Sequence, residues 1–191
     1  MPIVRSFRTL KISGGNILLD PYYVLEQAGL KEGDKVADLG CGSAGHFVIP
    51  AGKIVGDKGT VYAVDILKSV LAAVQSRAKL EGLTNVELVW SNLEIYGATK
   101  IPKESLDFAL LINILFQVKK REEVIKEAIR LLKSGGKLVV VEWGLGEAPL
   151  GPPPAMRVTK DYLREVMQKF NLKEIKEFKA GPYHYGLVFM K

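Results

Sequence analysis

Residues 36–45 read Val-Ala-Asp-Leu-Gly-Cys-Gly-Ser-Ala-Gly, and this stretch limits the chain more than any other. Val36, Ala37 and Leu39 make a short apolar run broken by Asp38, and Gly40, Gly42 and Gly45 follow. His46 to Val55 is mostly apolar and reads as a helix to about Ile54. A second apolar run, Val61 to Val64, ends in Asp65, twenty residues after Gly45. The pattern is a buried strand, a tight turn, a helix start and a second strand closed by an acid. Glycines permit positive φ and close approach of backbone to a ligand. Such a turn aims N–H groups at that ligand, and an acid about twenty residues on is where a ribose diol is gripped.

The triplet also spells the dinucleotide pattern G-x-G-x-x-G, which by spacing alone is weak evidence. Asp38 argues against that reading. A carboxylate two residues before the first glycine would face the negative pyrophosphate that such turns cradle. It suits a cationic group instead, such as the α-amino group of an amino acid. Asp38-Leu39-Gly40-Cys41-Gly42 resembles motif I of the class I S-adenosylmethionine-dependent methyltransferases.

The rest of the chain reads as alternating strands and helices. Asp20-Pro21 opens a helix as N-cap and first helical residue, with Val24, Leu25 and Ala28 on one face and Gly29 as its stop. Strands follow at about 35–39, 60–65, 86–90, 108–112 and 138–141, with helices over 67–80 and 122–132 between them. Ser134-Gly135-Gly136 reads as a helix stop. This alternation predicts a parallel sheet covered on both faces. Trp143 to Pro154 is rich in Gly and Pro and reads as a substrate-side loop. Thr159 caps a helix to about Phe170. Two strands, 172–178 and 185–190, then follow with no helix between them, so they must pair antiparallel. The expected fold is α/β: a doubly wound, Rossmann-like sheet of seven mostly parallel strands ending in an antiparallel hairpin. Residues 1–19, carrying Arg5, Arg8 and Lys11, read as a basic arm, and 20–191 as a single methyltransferase domain.

The resemblance covers roughly residues 20–190 and implies S-adenosylmethionine as cofactor. Carried over, the turn Gly40, Cys41, Gly42 and Gly45 would hold the methionine end, with Asp38 near the amino group. Asp65 would meet both ribose hydroxyls, a carboxylate having two acceptor oxygens for two donors. Ile66 would pack on the adenine face. Asn92 and Leu93 follow the third strand, where relatives often place an acid for the adenine amine; Asn92 is either that contact or a surface turn residue. Asn113, at the end of the fourth strand, would touch cofactor or substrate, and Phe116 stands in the same loop. Tyr22 and Tyr23 either line the active site or pack in the core. Glu142 and Trp143 form either a wall for a flat or cationic substrate or a capping acid and a packed indole. Methyl transfer needs alignment and exclusion of water more than a catalytic triad. If an oxygen or carbon is attacked, Glu142 and His184 are the candidate bases.

Composition narrows the rest. One cysteine, Cys41, excludes an internal disulfide, fits a reducing cytoplasm and disfavours arsenite methylation, which uses several. Two histidines, His46 and His184, give no metal-site spacing. No run approaches the roughly 20 apolar residues that span a bilayer, and Met1 to Leu10 reads as no secretory signal. Net charge is +6. A small-molecule acceptor is expected, within a group resembling the quinone-biosynthesis methyltransferases. RNA is the rival acceptor, supported by charge and the basic arm. A non-catalytic cofactor-binding or scaffolding protein is the reading from another class. The oligomeric state has no signature in the sequence.

Overall fold

The computed structural model describes residues 18–191; of the basic arm expected over 1–19, only Leu18 and Leu19 fall within them. The first helix, α1 (Pro21–Ala28), begins and ends where its punctuation dictates. Asp20 Oδ1 accepts from the amides of Tyr22 at 3.0 Å and Tyr23 at 3.4 Å. Gly29 closes the helix in the left-handed region at φ 82°.

Strands β1 (Lys35–Leu39), β2 (Thr60–Asp65), β3 (Val86–Trp90), β4 (Leu106–Ile112) and β5 (Leu132–Trp143) pair parallel. β6 (Lys173–Lys179) and β7 (His184–Met190) complete one seven-stranded sheet in the order β3-β2-β1-β4-β5-β7-β6. β7 runs antiparallel to both neighbours, β5 and β6. Opposite Phe178, the β7 partner is Gly186, where a Cβ would lie 2.3 Å from the Phe178 ring. Only glycine leaves space for that ring.

Alternation within β1 sends side chains to two separate cores. Val36 joins α1, α2 (Val48–Val55) and α3 (Lys68–Leu80) on one face. Ala37 and Leu39 join α4 (Arg121–Leu131) and α5 (Lys160–Lys169) on the other. The fully buried β4 and β5 runs, Ala109–Leu111 and Leu138–Val141, are the continuous apolar strands such a sandwich requires.

Three boundaries differ from the sequence reading. After Gly45 the backbone stays in turns through Phe47, and α2 begins at Val48, with no side-chain cap. β4 begins at Leu106, two residues earlier than its apolar run suggests, because Leu106 pairs with Leu132. β5 accordingly starts at Leu132. Its glycine pair does not break it: Gly135 N donates to Lys191 O at 2.9 Å and Lys191 N to Gly136 O at 3.0 Å.

Candidate active site

The glycine turn leaves β1 at the carboxyl edge of the sheet, where open α/β sheets bind their ligands. Gly40, Gly42 and Gly45 take φ of 86°, 63° and 55°, values that L-residues rarely adopt. The turn spends its first amides on the neighbouring strand. Gly40 N and Cys41 N both donate to Val64 O, at 2.8 and 3.0 Å, and Gly42 N donates to Asp65 Oδ2 at 3.3 Å. Gly40 also lets a second wall approach: a Cβ there would fall 2.7 Å from Ile114 Cδ1.

Two carboxylates flank this turn. Asp38 is buried to 3% exposure and has no donor among the described residues. Burial, with the Asp65 charge added, pushes its carboxyl up to about 7. Asp65 is tied down: Oδ1 accepts from Leu67 N at 3.0 Å while Oδ2 takes Gly42 N. Each of its oxygens keeps a second lone pair for a ligand hydroxyl. Cys41 is buried between them, and burial beside two acids drives its thiol far above its ordinary value. It fills the turn and is no nucleophile.

Beyond Asp65, Ile66 and Leu67 are exposed apolar residues, and so is Trp90 at the end of β3. The Trp90 indole donates to Ile66 O at 2.7 Å, fixing its ring beside them. Asn92 Oδ1 accepts from Glu94 N at 3.0 Å, which shapes the turn after β3, and Leu93 is buried beneath it. Glu94 then accepts the amides of Lys119 and Lys120 and holds this turn to the start of α4.

The opposite wall is residues 113–116. Asn113 sits in the left-handed region at φ 53°, and its amide nitrogen donates to His184 Nε2 at 3.1 Å. Its backbone N–H donates to Val141 O at 2.8 Å. Glu142 is wholly buried behind the turn, and Oε1 accepts from Leu115 N at 2.7 Å. Burial raises its carboxyl to about 7, against the pull of the Leu115 and Phe116 amides and Arg121. His184 is buried too, and burial lowers it to about 4, so the imidazole is neutral. Trp143 packs on that ring at 4.1 Å between centroids. Of the two roles open to Glu142 and Trp143, both residues occupy interior positions rather than an exposed wall.

Three placements have no local sequence signal. His46 Nε2 lies 2.8 Å from Leu19 O, so the glycine turn clasps the segment leading into α1. That brings Tyr22 and Tyr23, both partly exposed, to the same side; the Tyr23 ring meets Phe178 edge-on at 6.2 Å. Ile114 packs on Gly40. Buried Arg157 gathers the Gly/Pro loop: Nε donates to Pro152 O, and Nη1 donates to Gly144 O and Gly146 O at 2.6 Å each. Arg157 is the lone charge between Ala148 and Val158, a hint that it serves the fold there. This loop, the start of α5 and the β6–β7 turn border a cavity of about 860 Å³, whose lining includes Val158, Phe178 and Tyr185 together with the charged Lys160, Arg164 and Glu177.

The described geometry therefore fits a ligand carrying a cation near Asp38 and a diol near Asp65. A family model described as a methyltransferase domain matches residues 30–180. The chain belongs to the class I S-adenosylmethionine-dependent methyltransferases. A solved S-adenosylmethionine-dependent methyltransferase from Aquifex aeolicus superposes with a TM-score of 0.82 at 26% identity, over 91% of this chain and 90% of that one. Among curated relatives, the ubiquinone/menaquinone biosynthesis C-methyltransferase UbiE of Shewanella woodyi is 34% identical over 122 residues. The match takes in 63% of this chain and 47% of that protein. UbiE of Vibrio vulnificus is 30% identical over 133 residues, 69% of this chain and 50% of the relative. This methyltransferase thus spans about half the length of the curated relatives it matches. The cofactor of the family is S-adenosylmethionine, and no helix among the described residues is long and apolar enough to cross a membrane.

Proposed function

We propose that this methyltransferase transfers the methyl group of S-adenosylmethionine to an apolar small-molecule acceptor, on the pattern of the quinone C-methyltransferases its sequence matches. The observation that carries the cofactor half is Asp38: a buried carboxyl with no donor of its own, beside a second acid. A ligand ammonium supplies the missing partner. In this reading Asp65 takes the two ribose hydroxyls, each such charge-assisted bond worth about 1.5–3 kcal/mol. Ile66 covers the adenine face, Asn92 and Leu93 its edge, and the turn Gly40, Cys41, Gly42 and Gly45 with Asn113 the methionine portion.

When bound, the cofactor supplies an electrophilic methyl carbon on a positively charged sulfur. The chain has to hold that carbon in line with the acceptor and keep water away. Asn113 and Phe116 stand nearest this task. Glu142 braces the turn from behind and is wholly buried, whereas His184, bonded to Asn113, also lines the cavity beside the Gly144–Gly146 loop. The acceptor half rests on the cavity beside the Gly144–Gly146 loop, where Leu145, Val158, Phe178, Tyr183 and Tyr185 give a flat molecule apolar faces and Lys160, Arg164 and Lys179 stand among the charged residues of its wall.

The deciding experiment supplies methyl-labelled S-adenosylmethionine with a panel of hydroquinones and naphthoquinols, and separately with RNA. Label in the organic extract is the expected result. Label retained by RNA would replace the small-molecule reading. Tight cofactor binding with no transfer to either would return a binding role without chemistry.

A further inference from the structure

Between Gly144 and Met156 the chain carries a single ionisable side chain, Glu147. The exposed residues of this stretch are apolar. Leu145, Leu150 and Met156 are 61%, 63% and 45% accessible, and Pro149, Pro153, Pro154 and Ala155 are exposed with them. Soluble chains seldom leave such residues grouped on one loop without a partner.

Part of the backbone of this loop is hidden from solvent. Pro149, Pro152, Pro153 and Pro154 have no N–H to leave unpaired. Buried Arg157 draws the carbonyls of Gly144, Gly146 and Pro152 inward. Gly151 lies flat on the Trp143 ring, where a Cβ would come within 2.7 Å. The loop is therefore a held shape whose exposed side chains are largely carbon and three of whose carbonyls turn inward, which lowers the cost of bringing it against an apolar medium.

Cations stand at its shoulder. Arg121 Nη2 donates to Met156 O at 3.2 Å, and Lys119, Lys120 and Arg121 line one shallow depression with Tyr162. Among the described residues none of these three meets a carboxylate in a salt bridge. The nearby Glu122, Glu123 and Asp161 are already paired, with Lys169, Lys126 and Arg164, and Glu94, which accepts the amides of Lys119 and Lys120, and Glu147 are the opposing charges. The chain as a whole is at +6.

We propose that the 144–156 loop docks this methyltransferase on an anionic lipid surface, Leu145, Leu150 and Met156 entering the headgroup boundary while Lys119, Lys120 and Arg121 meet the lipid charge. The inference deepens the reading of an apolar small-molecule acceptor, because Gly144, Leu145, Gly146 and Glu147 also wall the acceptor cavity. Docking would set the mouth of that cavity against the phase in which an apolar acceptor dissolves.

The test is sedimentation of the full chain with phosphatidylcholine vesicles, with and without phosphatidylglycerol, in the absence of cofactor. Binding is expected with phosphatidylglycerol, weakened by salt, and lost by roughly tenfold or more in the double variant Leu145→Asp/Leu150→Asp. Both leucines are exposed, so the variant keeps its fold, checked by its melting temperature. No binding to anionic vesicles overturns the proposal. Equal binding by the variant also overturns it, assigning lipid contact to another surface. A wild-type dimer that the variant turns into a monomer would assign the loop to a second copy instead. Calorimetric titration of the wild type with S-adenosylmethionine stands apart from these outcomes: absence of cofactor binding there would sink the function, not the docking.

Discussion

Burial first, and then the charge of Asp65 on the neighbouring strand, raise the proton affinity of Asp38, a carboxyl that no donor among the described residues satisfies. Two acids at one turn are a cost in the free protein and an asset once a cation arrives. Much of the chemistry expected of this site follows from that pair.

Asp38→Asn is expected to stabilise the free protein at pH 8 while removing most of its affinity for S-adenosylmethionine. Burial, with the Asp65 charge added, raises the folded carboxyl to about 7 from the ordinary 3.8 of an aspartate. The folded state thus binds more protons between those values, and stability falls as pH rises through that window. Glu142, raised in the same sense to about 7, contributes a similar slope. Urea unfolding at pH 5 and pH 8 should show the wild-type decline reduced in the variant, not abolished. An unchanged decline would mean that Asp38 is solvated in solution.

Cofactor binding should release a proton below neutrality. At pH 6 most Asp38 is protonated, and pairing with an ammonium group requires the carboxylate. Titration calorimetry in buffers of different ionisation enthalpy should report close to one proton released at pH 6 and almost none at pH 8.5. Affinity should weaken correspondingly on acidification. Equal proton release at the two pH values would place the ammonium elsewhere.

Asp65→Ala should weaken S-adenosylmethionine binding by roughly 10–100-fold, the loss of one or two charge-assisted hydrogen bonds. The same variant frees the amides of Gly42 and Leu67, so part of the loss would reflect a looser turn. Asp65→Asn keeps one acceptor and should fall between. Full affinity in Asp65→Ala would remove the ribose assignment.

Gly40→Ala should both strain the turn and strike Ile114. A Cβ lies 2.7 Å from Ile114 Cδ1, and φ is 86°. A left-handed non-glycine residue costs about 1–3 kcal/mol. Combining it with Ile114→Ala should relieve the clash and leave the strain, so the double variant should lose less stability than the two single losses added, by about 0.5 kcal/mol or more. Additive effects would mean the two walls do not touch.

Arg157→Met should release the Gly/Pro loop, because no other side chain replaces a guanidinium that meets three carbonyls. Protease cleavage within 144–153 should become fast, acceptor turnover should fall, and S-adenosylmethionine affinity should hold. Arg157→Lys should not rescue, since one ammonium cannot span the same fork. Slow cleavage in Arg157→Met would show the loop held by its prolines alone.

Much of this was legible beforehand, and the reasons are local. The Asp20-Pro21 start and Gly29 stop bound α1 to the residue, and the apolar runs 35–39, 60–65 and 86–90 match β1 to β3. Hairpin topology followed from the missing helix between 172–178 and 185–190. What stayed hidden lies in contacts between residues far apart. Nothing near Leu132 announces its pairing with Leu106 through a shifted register. Nothing around Glu142 indicates a buried acid spent on the Leu115 amide, and His184 reads the same whether it faces an acceptor or Asn113. The amides of Gly40, Cys41 and Gly42, expected to point at a ligand, are engaged with Val64 and Asp65. A motif states which residues assemble a turn, not which of its donors remain.

The place of β7 bears on how the chain is made. Residues 184–190 lie between β5 and β6, strands that precede them in synthesis. Until residue 190 has cleared the ribosome, the wholly apolar run Leu138–Val141 has one open edge, a template for pairing with other nascent chains. Helices α1 to α4 and strands β1 to β5 can gather earlier, but the sheet closes between β5 and β6 only by insertion of β7. Vectorial synthesis therefore leaves this protein a window of exposure that lasts until residues 184–190 have emerged, and a truncation short of residue 184 would leave that window open.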